Sequence, residues 1–259
     1  MSILTDSAAE AIDPAQQAID PAQQAIAPGD RLETGMRMDA AEFRRRGDVL
    51  QAAGLDGRAE LIEGVVTMMP PPDFVGHGEP DSDLQSLVGL YRLRTPGTTS
   101  ATNAAVTFGD DTVVGPDLAL AILPECGGQM VRTGDGRLTG VPELVIEVAS
   151  SSAARDRGSK RQTYERIGVR EYLVHDVAAG KFVQAVRRGD RLVEQTDEIF
   201  RSETFAGLWL DTAALLRSEA AEALQTLERG LASAEHAGFI RQLRDRRSVG
   251  QSETEASFD

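Results

Sequence analysis

Apolar residues recur along this chain with two periods, one near 3.6 and one near 2, and their alternation predicts a mixed α/β domain. Asp39 reads as an N-cap, followed by Ala40, Ala41, Phe43, Val49, Leu50 and Ala53 at helical spacing and a stop at Gly54. Ala59-Glu-Leu-Ile-Glu63 and Val65-Val-Thr-Met-Met69 are two short strands meeting at Gly64. Leu84, Leu87, Val88 and Tyr91 predict a second helix ending near Gly97. Residues 98–108 and 113–122 each read as one strand, separated by a turn at Asp110-Asp111, and 127–140 as a Gly-rich loop. An unbroken apolar strand follows at 143–149, then a helix through Lys160 that ends at Gly168, then a buried strand at 171–176. Residues 181–187, 191–196 and 205–210 read as a meander completing the sheet. From Thr212 a stripe of Leu215, Leu216, Ala220, Ala223, Leu224, Leu227 and Leu231 predicts a helical extension.

The ends of the chain read differently. Ala-Ile-Asp-Pro-Ala-Gln-Gln occurs twice from residue 11 and its first four positions return as Ala-Ile-Ala-Pro, a heptad in which Pro14, Pro21 and Pro28 exclude a coiled coil. Residues 1–35 are therefore expected to be a disordered leader, 36–210 the α/β domain, 211–247 a C-terminal helix and 248–259 a disordered acidic tail.

Charge narrows the classes. The formal net charge is −14, which argues against a general nucleic-acid coat. Much of it lies in the tails, where residues 1–35 carry six acids and one Arg and residues 211–259 nine acids and six Arg. Within the milder middle, Arg44, Arg45 and Arg46 form one basic cluster and Arg155, Arg157, Lys160, Arg161, Arg166 and Arg170 another. Either could face phosphates; the plainer reading is a solvated helix face. The single Cys126 excludes an internal disulfide and a Cys-based zinc site, and points to a reducing compartment. No apolar stretch approaches a membrane span and the first residues lack signal-peptide features, so the expectation is a soluble, cytoplasmic protein.

The strand at 143–149 carries the candidate chemistry. Leu144, Val145, Ile146, Val148 and Ala149 form an apolar run, yet Glu147 sits inside it. A carboxylate there is costly unless paired, hydrogen-bonded or bound to a cation. Downstream, Asp156, Lys160 and Tyr164 recur every four residues and share one helix face. Only two of the 27 cationic side chains are lysines, Lys160 and Lys181. A compact ammonium in an arginine-biased chain hints that lysine is needed there, although Asp156 and Lys160 also suit an ordinary helix-surface pair. Asp117 after Pro116 suits a ligand or a strand-start residue, Glu63 at the bend is either functional or solvated, and His77 is placed at the edge of the site. Tyr164 and Tyr172 read as packing residues.

The order of these features, Glu60-Leu-Ile-Glu-Gly64 with Met68 and Met69, then His77, Pro116-Asp117, Glu147 with Ser150 to Ser152, Lys160 with Tyr164, and Gly168-Val-Arg-Glu-Tyr172, resembles the Uma-type restriction endonucleases of the PD-(D/E)XK nuclease superfamily. The resemblance covers roughly residues 36–210. It implies a restriction-endonuclease-like fold, a mixed central sheet flanked by helices. It also implies a metal-dependent endonuclease acting on DNA, with Asp117 and Glu147 as metal ligands and Lys160 as the catalytic lysine. Ala149 stands where the superfamily pattern places lysine, and Lys160 on the following helix is the matching candidate. Hard oxygen ligands suit Mg²⁺ or Mn²⁺. Glu63 and His77 are additional candidates. The alternative is an inactive nuclease-fold module for nucleic-acid or protein interaction. The C-terminal stripe either packs back on the domain or pairs two copies.

Overall fold

The computed structural model describes residues 26–55, 58–69, 74–134, 138–149 and 153–256. Helix α1 (Ala40–Ala52) starts where expected, because the Asp39 carboxylate accepts the Glu42 N–H at 2.8 Å. Strands β1 (Ala59–Ile62) and β2 (Val65–Met68) pair antiparallel, with Ile62 opposite Val65 across a two-residue turn. Glu63 (φ 51°) and Gly64 (φ 74°) occupy that turn, the left-handed pair a primed hairpin turn requires. A π-helical turn at Phe74–Gly78 leads into α2 (Glu79–Arg94).

Two predicted strands are each split between sheets. Residues 98–108 divide into β3 (Thr98–Thr102) and β4 (Val106–Phe108), because Asn103 takes φ 50° and turns the chain. Residues 113–122 divide into β5 (Thr112–Val114) and β6 (Leu118–Ile122). Pro116 supplies no ladder donor, so Gly115, Pro116 and Asp117 form the crossing from one sheet to the other. A small ribbon, β7 (Val131–Arg132) with β8 (Leu138–Thr139), lies in the expected loop. Then come β9 (Leu144–Ala149), α3 (Ala153–Ile167) and β10 (Glu171–Asp176), with β9 and β10 parallel as a helical crossover permits. Helix α3 stops at Gly168, φ 101°, whose N–H and that of Val169 both return to the Tyr164 carbonyl.

Strands β11 (Lys181–Arg188) and β12 (Arg191–Gln195) continue the meander. The third predicted member does not join it: β13 (Ile199–Arg201) pairs instead with β14 (Trp209–Asp211) as a separate two-stranded sheet. The main sheet has six strands in the order β12-β11-β10-β9-β6-β3, and the second has four in the order β2-β1-β5-β4. The predicted C-terminal helix is three: α4 (Thr212–Leu216), α5 (Ala220–Leu231) and α6 (Ala234–Ala256). Ser218 at φ 57° breaks the first junction, and the Ser233 hydroxyl caps the next helix by accepting the His236 N–H at 3.2 Å.

Three apolar layers hold these elements together. Leu144, Ile146 and Val148 of β9 join Leu118, Leu120, Leu87, Tyr91 and Leu227 beneath α2 and α5. Val145 faces the other way, with Tyr164 and Ile167 of α3, Tyr172 and Val174. The third layer joins Phe43 and Leu50 of α1 to Leu61, Val66 and Val113. Two expectations change here. Ile26 and Leu32, placed in a disordered leader, are buried in the third layer, so residues 26–35 are part of the folded unit; the repeat up to residue 25 lies outside the described residues. At the other end α6 runs to Ala256, into the stretch expected to be disordered; none of the 11 prolines lies beyond Pro142 to stop it. Leu215, Ala223 and Leu227 of the C-terminal stripe are spent inside the chain's own core. No helix among the described residues is long and apolar enough to cross a membrane.

One buried histidine makes stability depend on pH. His175, 6 % exposed and stacked on Phe182 at 4.3 Å between ring centroids, is lowered to about 4 by burial. An unfolded histidine titrates near 6.5, so between these values the unfolded chain binds a proton that the folded chain refuses. The contribution is complete above about pH 6.5 and is lost as pH falls towards 4. Urea unfolding of wild type and His175→Phe at pH 7.5 and pH 5 should show the smaller pH-induced loss in the variant.

Candidate active site

The alternation of β9 decides where its acid points. Leu144, Ile146 and Val148 face α2 and α5, so Val145 and Glu147 face α3. Glu147 is 6 % exposed and meets the two side chains that helical spacing delivers, Lys160 and Tyr164. The Lys160 ammonium lies 3.2 and 3.3 Å from the two Glu147 oxygens, and the Tyr164 hydroxyl donates to Oε1 at 2.6 Å. The buried acid thus has its partners on the adjoining helix. Asp156, expected on the same face, has a side chain outside the described residues.

Asp117 arrives from the neighbouring strand. Leu118 pairs with Ile146 in antiparallel register, which sets Asp117, one residue earlier, beside Glu147, one residue later. Its Oδ2 accepts the Val148 N–H at 2.8 Å, so the carboxylate is fixed on the backbone next to Glu147. Its Oδ1 faces outward, with His77 Nε2 at 3.4 Å and the Arg58 guanidinium at 3.3 Å. The Arg58 guanidinium also donates to the Asn103 side-chain oxygen.

A third carboxylate comes from the second sheet. Glu60 of β1, 3 % exposed, accepts the Gly115 N–H at 3.0 Å and lies 3.1 Å from the Lys160 ammonium through the same Oε1. Lys160 therefore ties β1 to β9, while Glu60 and Asp117 grip the two ends of the Gly115–Asp117 crossing. Sequence reasoning chose Glu63 instead. Glu63 is exposed in the hairpin turn beyond the end of β1, at φ 51°, away from the strand position that buries Glu60. The signal for Glu60 was the one that found Glu147, an acid within an apolar strand. Tyr164, read as packing, also holds the Glu147 carboxylate; Tyr172 packs against it with ring centroids 5.3 Å apart.

The electrostatics follow from three carboxylates around one ammonium. Burial raises Glu147; Lys160 pulls it down, Asp117 and Glu60 push it up, and the net shift is upward. Burial would lower Lys160, but Glu147, Glu60 and Asp117 outweigh it and hold the ammonium well above its ordinary value. Burial likewise opposes ionisation of Asp117, and the hydrogen bonds from His77 and Val148 reverse the sign, so Asp117 is lowered. His77 is raised, chiefly by its contact with Asp117. Three carboxylates therefore meet two cations, Lys160 and Arg58, with His77 beside Asp117.

Among the described residues no three His, Cys, Asp or Glu side chains converge into a ready-made metal cage. A Mg²⁺ site does not need one, since that ion binds through one or two carboxylates and keeps several waters. Asp117 and Glu147, adjacent and oxygen-only, suit that donor set.

Comparison with known proteins places the chain. Its sheet, crossover helix and acidic strand ends define a restriction-endonuclease-like mixed α/β protein. The model of the family described as "Putative restriction endonuclease", Uma2, matches residues 42–232, and the chain belongs to that family. Among solved structures, one described as a putative nuclease belonging to DUF820 from Anabaena variabilis matches with a TM-score of 0.53 at 18 % identity, covering 73 % of this chain and 99 % of that one. At that identity the likeness concerns the fold. A search of curated proteins found no match.

Removing the ammonium should expose how the cluster is balanced. Lys160→Met leaves Glu60 and Glu147 buried without a counter-charge, and breaking such a pair costs about 3–5 kcal/mol. The expected result is a large drop in the urea midpoint at pH 8, smaller at pH 5 where the acids can take up protons. An equal drop at the two pH values would show that lost packing, not charge, is responsible.

Proposed function

We propose that the chain is a divalent-cation-dependent endonuclease that hydrolyses DNA phosphodiester bonds. The observation that carries this reading is the adjacency of Asp117 and Glu147 at neighbouring strand ends, with a buried lysine on the next helix. Asp117 and Glu147 hold the cation, Mg²⁺ or Mn²⁺. When bound, it supplies charge neutralisation and a water of lowered pKa.

The chain's own residues do the rest. Lys160, held as an ammonium by its carboxylates, acts as a hydrogen-bond donor and a positive charge rather than as a base. Tyr164 fixes the rotamer of Glu147, and Val148 fixes that of Asp117, so the ligand oxygens are set before any cation arrives. Arg58, whose side chain is 30 % exposed, is the cationic group beside Asp117 that faces solvent. It is placed to meet a phosphate oxygen beside Asp117. His77 is positioned on the same rim.

Plasmid nicking with Mg²⁺ or Mn²⁺ tests the reading. Glu147→Gln and Asp117→Asn should each lower the rate on the order of 10²-fold or more, in the range seen when a preorganised charged contact to the transition state is removed. Glu60→Gln should lower it less, through Lys160, and Glu63→Ala should leave it unchanged. Nicking that persists in Glu147→Gln, or that needs no divalent cation, would contradict the proposal.

A further inference from the structure

The rim of the site carries an apolar feature that the hydrolytic machinery does not use. Phe74 is 83 % exposed and Val75 70 % exposed, on the π-helical turn Phe74–Gly78. Within that same turn His77 reaches Asp117 Oδ1 at 3.4 Å, its side chain 12 % exposed. Less than one helical turn therefore separates an aromatic ring in water from a residue touching a proposed metal ligand. π-Helical turns are rare and occur frequently at functional sites. This exposed Phe-Val pair contributes nothing to the core and is free to meet a ligand.

Charge says which ligand surface this can be. The chain carries −14, and five of its 25 guanidiniums, those of Arg45, Arg46, Arg161, Arg188 and Arg217, are tied to carboxylates of the chain itself. Neutralising many phosphates is the usual source of DNA affinity, and this protein is poorly equipped for it. A DNA ligand must then gain affinity from a contact that does not depend on charge, and stacking of a base on an aromatic side chain is that contact. Bases inside a duplex keep their faces stacked on each other; only an unpaired or extruded base offers a face to Phe74.

Resting on the nuclease reading, we propose that Phe74 is a stacking platform for an unpaired base next to the scissile phosphate. The preferred substrate is then single-stranded or locally unpaired DNA. Val75 widens the apolar platform. Binding should depend less on salt than for a protein that tracks the backbone, because the gain comes from the base.

The test uses the full chain with Mg²⁺ and an oligonucleotide presented either single-stranded or as its duplex. Wild type should cleave the single strand with the lower KM. Phe74→Ala and Phe74→Leu should raise that KM about tenfold, the size expected for one lost stacking contact, with kcat little changed and the salt slope preserved. Phe74→Tyr should restore the wild-type value. An unchanged KM in Phe74→Ala, with cleavage still dependent on Glu147, overturns the inference and leaves the nuclease intact. Full affinity in Phe74→Leu overturns stacking in favour of a merely apolar contact. A concentration-dependent dimer that Phe74→Ala abolishes assigns the patch to a second copy of the chain instead. If no sample cleaves in a Glu147-dependent way, the nuclease reading has failed. Anisotropy of the labelled single strand against wild type and Phe74→Ala then decides the stacking by itself, equal affinities ruling it out.

Discussion

A carboxylate inside a sheet cannot stand alone, and the arrangement of this protein around Glu147 follows from that constraint. An ionised group at 6 % exposure needs opposite charge and hydrogen bonds within a few ångströms. Helix α3 meets the need with an ammonium and a hydroxyl one turn apart, and the parallel pairing of β9 with β10 fixes that helix over the correct face. Removing Lys160 would leave neither the helix nor the strand in an electrostatically tolerable place. Structural and chemical demands coincide on one side chain.

The same ammonium joins the two sheets. Glu60 belongs to the four-stranded sheet and Glu147 to the six-stranded one, yet both contact Lys160. Between them the chain crosses at Gly115, Pro116 and Asp117, where proline denies the ladder a donor and the two flanking residues are gripped by carboxylates or backbone amides. A cluster that fastens a junction in this way is rigid, and it gathers carboxylate oxygens at one place, as a hydrolase needs. Belonging to the Uma2 family agrees with such a use.

How much of this was legible depended on whether a residue broke its local pattern. Glu147 broke an apolar run and Lys160 an arginine habit, so they stood out, and a period of four placed Lys160 with Tyr164. Glu60 also interrupts an apolar strand, but Glu63 follows within three residues, and only the observed hairpin separates a strand acid from a turn acid. The split of residues 113–122 was marked only by Gly115-Pro116-Asp117, since Val113, Val114 and Leu118 to Ile122 are apolar and buried in either sheet. Ile26 and Leu32 gain their place from tertiary contacts with α1 and β1 that a Pro-rich local sequence does not announce. The C-terminal stripe was read correctly as helical, but whether it covered this core or another copy was a question of packing. Leu215, Ala223 and Leu227 pack into this core, while Leu216 and Leu224 stay exposed.

The central claim is that Asp117 and Glu147 together receive a divalent cation, and Mn²⁺ makes that directly visible. Crystals soaked in Mn²⁺ should give an anomalous peak between the two carboxylates, lost in Glu147→Gln crystals treated the same way. A peak elsewhere, or none with the cluster still closed on Lys160 and Arg58, would contradict the account.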